Sequence, residues 1–117
     1  METEAVTYPA GVVLRVRGPM RLWGQPDAET RLLELLRSNV SDQTTELILN
    51  LAGVANIDTM GISALVRVLI ECTKRHIHLK VILPSGVAGE SVRRVRIFEA
   101  WPAYSDEESA AQGAARV

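Results

Sequence analysis

The sequence predicts an α/β fold in a single domain, on three observations. Leu47-Ile48-Leu49-Asn50-Leu51 is an apolar run of strand length, too unbroken to face water on one side. Past a short connection the apolar residues change to helical spacing at Ile62, Leu65, Val66, Leu69 and Cys72, while Arg67, Glu71, Lys74 and Arg75 lie mostly on other faces. An alternating run follows at Ile77, Leu79, Val81 and Leu83, closed by Pro84. Two strands joined through a helix pair in parallel by a right-handed crossover as the default.

The remaining elements follow in chain order. Ala5 to Tyr8 is a short strand candidate, broken by the turn residues Pro9-Ala10-Gly11. Val12, Leu14 and Val16 alternate with Val13, Arg15 and Arg17, so a second strand pairs with the first as an antiparallel hairpin and ends at Gly18-Pro19. Met20-Arg21-Leu22-Trp23-Gly24-Gln25 reads as an irregular loop. A helix starts at Pro26, with Asp27 and Glu29 suiting its positive end. It buries Leu32, Leu33, Leu36 and Val40, is broadened by Leu35, and ends near Ser38. Between the strand at 47–51 and its helix, Ala52 to Ile57 reads as a loop. Beyond Ser85-Gly86, Ala88, Val92 and Val95 define a short helix ending near Ile97. Trp101-Pro102-Ala103-Tyr104 suits a short edge strand. Ser105 and Glu108 have capping-box spacing for a last helix from Asp106 to about Gln112.

At 117 residues the chain fits one domain, 1–117, with ends expected to fray at about 1–4 and 113–117. A hydrophobic content of 47% with 23% charged residues fits a soluble globular protein. The formal net charge of −1 supplies no global attraction to nucleic acid or an acidic membrane. Cys72 is the only cysteine, so no internal disulfide forms and a reducing compartment fits. The acidic start Met1-Glu2-Thr3-Glu4 lacks a secretory pattern, and no apolar run approaches the roughly 18 residues of a membrane span. The expectation is a soluble cytoplasmic domain.

Most chemical candidates have a plainer explanation. His76 and His78 would share one face of a strand, but nothing nearby completes a metal site. Arg93, Arg94 and Arg96 suit a solvated helix face better than a phosphate site. Cys72 falls on an apolar stripe, as a buried, inert thiol. Trp23 carries two readings: an indole covering the nearby core edge, which its large apolar body favours, and an anchor for a partner. No glycine-rich phosphate loop is present, and no nucleophile motif names a histidine base.

Asp58-Thr59-Met60-Gly61 is the remaining candidate, at the carboxyl end of a buried strand where α/β sheets commonly build sites. On composition and spacing alone, helix capping leads for Asp58 and Thr59, and Gly61 permits close packing. The same geometry makes a hydroxyl accessible beside amides that welcome anions, and a phosphate on Thr59 would add about −1.5 to −2 charges there.

These residues resemble a known family. The run 47–51, the small loop through Val54 and Ile57, and Asp58-Thr59-Met60-Gly61-Ile62 before an apolar helix look like the STAS domain, shared by anti-sigma factor antagonists and sulfate transporters. Its usual motif is Asp-Ser-Ser/Thr-Gly-Leu. The similarity continues through Lys74-Arg75, the strand at 79–83, Val92-Arg93-Arg94 and Trp101 to Tyr104, and covers 46–110 more closely than the first 45 residues. Met60 replaces the second hydroxyl residue, Arg96 stands where glycine is frequent, and Gly18-Pro19-Met20-Arg21 lacks the family's aspartate.

The resemblance implies a mixed β-sheet with helices packed mainly on one side. It implies an anti-sigma factor antagonist, phosphorylated on Thr59 by an anti-sigma factor that is a serine/threonine kinase. The unmodified protein would bind that kinase and free the sigma factor, through a surface including Asp58, Thr59, Met60, Gly61, Ser63 and Trp23. No catalysis, cofactor, metal, required small molecule, nucleic acid or membrane insertion is expected. The alternative is a STAS subunit of a phospholipid/ABC transport or stress-signalling complex. More distant is a small α/β enzyme or receiver domain, which would need clustered acids at its strand ends, where this chain has Arg17-Gly18-Pro19.

Overall fold

The structure is a computed structural model and describes residues 1–95 and 102–112. Four strands form one sheet in the order β1 (Glu2–Tyr8), β2 (Gly11–Met20), β3 (Glu46–Ile57) and β4 (His78–Ile82). Among the described residues the helices are α1 (Pro26–Asn39), α2 (Thr59–Lys74), α3 (Gly86–Arg93) and α4 (Glu107–Gln112). β1 and β2 run antiparallel, while β2–β3 and β3–β4 are parallel, so the sheet is mixed.

Alternation along each strand divides the side chains between two faces. Val12, Leu14 and Val16 of β2, Leu47, Leu49 and Leu51 of β3, and Leu79 and Val81 of β4 meet α1, α2 and α3 in the main core. Val13, Ile48 and Ile82 point the other way, beneath Tyr104 and Ala110 of α4. The helices therefore pack mainly on one side. Residues such as Leu47 and Leu49 are fully buried, each contributing about 1.5–3 kcal/mol of transfer free energy.

Several boundaries differ from expectation, each because pairing overrides local propensity. β1 begins earlier than Ala5, with Glu2, Thr3 and Glu4 paired with Arg17, Val16 and Arg15. Residues 113–117 lie outside the described part. β2 continues past Gly18-Pro19 to Met20, with irregularities between Arg15 and Arg17 and between Gly18 and Met20. Gly18, at φ 81, supplies the left-handed conformation at the second irregularity. Ala52 to Ile57 is strand, because Gly53, Val54 and Ile57 pair with Arg17, Gly18 and Met20 of that extension.

α1 begins at Pro26 as expected and buries Leu32, Leu33 and Leu36, with Leu35 and Val40 half-buried. In α2 the buried stripe is rotated onto Ala64, Leu65, Val68 and Cys72, leaving Ile62, Val66 and Leu69 half-buried. Glu71 falls on the buried side at 9% exposure, where the Nε atoms of Arg37 and Arg75 each lie 3.1 Å from its Oε1. Cys72 is buried, and burial, reinforced by the charge of Glu71, pushes its thiol up to about 12, so it stays protonated.

His76 occupies the turn before β4 at φ 57, so His76 and His78 do not share a strand face. Ala88 and Val92 are buried in α3 as their spacing requires, and Arg93 is exposed; the expected end near Ile97, with Arg96, lies outside the described residues. Ala103 bridges Val81 in parallel at the sheet edge; Trp101 is outside the description. The last helix is capped one residue later than expected. The N–H of Ser109 donates to Asp106 Oδ1 at 2.7 Å, in place of a Ser105–Glu108 box.

Candidate functional site

The parallel strands β2, β3 and β4 end at one side of the domain, and three connections leave there: 21–25, Asp58 and 83–85. Asp58 joins two of them. In extended conformation it caps α2, its Oδ1 accepting the N–H of Gly61 at 2.8 Å. The same oxygen accepts the N–H of Leu22 at 3.1 Å, and Oδ2 accepts the N–H of Trp23 at 3.0 Å. Its own N–H donates to the Met20 carbonyl at 3.2 Å. Burial alone would raise the Asp58 carboxyl. The amides of Gly61, Trp23, Leu22 and Met60 outweigh burial and hold it below the usual carboxylate range, so it is an anion at neutral pH.

Thr59 is the first residue of α2 and is exposed. It stands at the positive end of a 16-residue helix, where a negative group is favoured. Met60 is half-buried and borders a shallow cavity with Leu22, Gln25, Pro26 and Glu29. Gly61 is buried against the end of β2. A Cβ there would fall on the Met20 carbonyl oxygen and the Ile57 side chain, so only glycine fits this approach. Ser63 is half-buried within the second turn.

Trp23 does not cover the core edge. It is 78% exposed, while its neighbour Leu22, at 3%, performs the covering. Asp58 fixes the backbone of both residues, with Leu22 turned inward and the indole left in water. The structure thus brings the Trp23 backbone to the Asp58 carboxylate, an association between segments 35 residues apart. Sequence reasoning missed Val87, which is 75% exposed in the first turn of α3, at the same end of the sheet. Its only signal was an apolar residue directly after Ser85-Gly86. Among the described residues no three His, Cys, Asp or Glu side chains converge as a metal site, and no helix is long and apolar enough to cross a membrane.

Exposed Thr59, exposed Trp23 and the anchored Asp58 carboxylate lie at the same end of the sheet. Comparison with known proteins gives this surface a context. The family model described as the STAS domain matches residues 2–110. No curated protein sequence matches the chain. Among solved structures, an anti-sigma factor antagonist from Mycobacterium paratuberculosis is similar with a TM-score of 0.74 at 17% identity, covering 96% of this chain and 92% of that one. The unphosphorylated form of the anti-sigma factor antagonist SpoIIAA gives 0.64 at 17% identity, covering 96% of each chain. The murine anion transporter Slc26a9 gives 0.71 at 15% identity, over 89% of this chain and 17% of that one. At these identities the likeness establishes the fold.

Proposed function

The chain belongs to the STAS domain family, and from that premise we propose that it is a bacterial, cytoplasmic anti-sigma factor antagonist that regulates transcription. With Thr59 unmodified it binds a kinase-type anti-sigma factor, which then frees its sigma factor. Phosphorylation of Thr59 ends the binding. The observation that carries this reading is the exposure of Thr59 at the start of a capped helix, beside an exposed tryptophan.

The partner supplies the chemistry. The terminal phosphoryl group of ATP passes to Thr59 Oγ1, the hydroxyl proton goes to a base of the kinase, and ADP leaves. This chain is the substrate and catalyses nothing. The added phosphate brings about −1.5 to −2 charges and three acceptor oxygens. The helix start tolerates that charge, so the fold persists. A docked protein would have to desolvate it, which opposes binding.

Incubation with kinase-type anti-sigma factors and ATP, followed by phosphate mapping by mass spectrometry, tests the reading. Modification of Thr59 with loss of the complex is the expected result. Modification elsewhere, or neither binding nor modification with any such kinase, overturns it. A second reading makes the domain a STAS subunit of a phospholipid/ABC transport or stress-signalling complex. The same fold occurs within the anion transporter Slc26a9, outside sigma-factor control, and co-purification with a transporter ATPase or a large assembly would select this reading.

A further inference from the structure

We propose that Asp58 is the positioning residue of this surface: its carboxylate holds the Leu22–Trp23 backbone against the start of α2, and a phosphate on Thr59 displaces it and releases Trp23. This rests on the reading of Thr59 as the modified residue and says how its modification spreads. The indole is 78% exposed, so its placement depends on what holds its backbone. Besides the buried Leu22 side chain, two sets of hydrogen bonds do so. The N–H of Gln25 donates to the Leu22 carbonyl at 2.9 Å, closing a turn in which Gly24 takes φ 77. The carboxylate of Asp58 then fastens that turn to α2 through the amides of Leu22 and Trp23.

The fastening is vulnerable because Asp58 Oδ1 is shared. It accepts from Leu22 and also from Gly61, an amide of the first turn of α2. A helix start offers only four unsatisfied N–H groups. A phosphate on the adjacent Thr59 carries three acceptor oxygens to those amides and repels the neighbouring carboxylate. Once Gly61 donates to the phosphate, Asp58 swings away and the amides of Leu22 and Trp23 lose their acceptor. The partner then meets a new charge and also loses a correctly placed tryptophan. A single carboxylate at position 59, with two oxygens and one charge, would displace Asp58 less completely.

Amide hydrogen exchange, read by nuclear magnetic resonance on the full chain with phosphothreonine installed at position 59 during synthesis, tests this without a kinase. The phosphate should accelerate exchange at Leu22 and Trp23 about tenfold or more, as loss of a charge-assisted hydrogen bond requires, and leave Leu49 unchanged. Asp58→Asn should accelerate the same two amides, and phosphate should then add less than about twofold. Unchanged exchange at Leu22 and Trp23, or equal acceleration by phosphate in Asp58→Asn, overturns the proposal. Should Asp58→Asn fail to fold, the Asp58 carboxyl carbon resonance in the otherwise unaltered chain decides. It moves on phosphorylation if the bonds are lost, and a fixed resonance refutes the mechanism. No partner is involved, so failure here leaves the antagonist reading standing. That reading falls if no kinase-type anti-sigma factor binds or modifies the chain.

Discussion

Arg15 and Glu107 meet on the sheet face opposite the main core in a two-pronged ion pair, with Nε to Oε2 at 2.8 Å and Nη2 to Oε1 at 2.7 Å. Nη1 of Arg15 also donates to Glu4 Oε1 at 2.7 Å, and Asn50 Nδ2 donates to Glu107 Oε2 at 2.6 Å. One carboxylate at the start of α4 is thereby tied to β2 and β3, and through Arg15 to β1. The Arg15 hydrogen bonds hold Glu107 below the usual carboxylate range, against a smaller opposing effect of burial.

The sign of its pH dependence follows. A carboxyl lowered in the folded state stabilises fully above its unfolded value, about 4.3, and this contribution is lost as pH falls through the lower folded value. Thermal melts should therefore fall below about pH 4.3 in the native chain and show a weaker dependence in Glu107→Gln. At neutral pH Glu107→Ala should cost about 1.5–3 kcal/mol by denaturant titration, the usual range for hydrogen bonds to charged groups.

The other end of α4 is fastened by a buried cation. Lys80 is 7% exposed; its Nζ lies 2.7 Å from Glu46 Oε2 and donates to the Ala110 carbonyl at 2.8 Å. Lys80→Ala leaves Glu46 without its partner and should cost about 3–5 kcal/mol, read as a lower denaturation midpoint.

Tyr8 gives an alkaline counterpart. Its hydroxyl is buried close to the Glu46 carboxylate. Burial first, and then the charge of Glu46, pushes it up to about 12. The folded state holds this proton more tightly than the unfolded one, so stability is full below pH 10.0 and declines as pH rises through about 12. Ultraviolet absorbance titration should show one tyrosine ionising near that value, and Tyr8→Phe should remove the step.

Substitutions at the proposed docking surface should separate folding from binding. Asp58 is the cap and Thr59 is exposed, so Thr59→Ala should change stability by no more than about 0.5 kcal/mol. Trp23→Ala should be equally mild by melting, yet weaken the anti-sigma complex by about 2 kcal/mol in calorimetry if the indole is an anchor. Gly61→Ala behaves oppositely. Its Cβ would collide with the Met20 carbonyl, and a loss of about 1–3 kcal/mol should appear in the melt before any binding is measured.

Much of this architecture is written in local patterns. The run 47–51, the alternation in β2 and β4, Pro26 and the apolar spacing of α2 locate the elements, because period and capping chemistry act over a few residues. Asp58 and Thr59 were legible as a helix start for the same reason. Tertiary structure decided where β2 and β3 stop, because Gly18 and Gly53 have poor strand propensity and become strand through the pairs Gly18–Val54 and Arg17–Gly53. It also rotated the buried stripe of α2, drew Glu71 between two arginines, and turned Leu22 inward and Trp23 outward. The last outcome depends on one carboxylate accepting hydrogen bonds from backbone amides 35 and 36 residues earlier, and spacing within a single segment carries no record of such a bond.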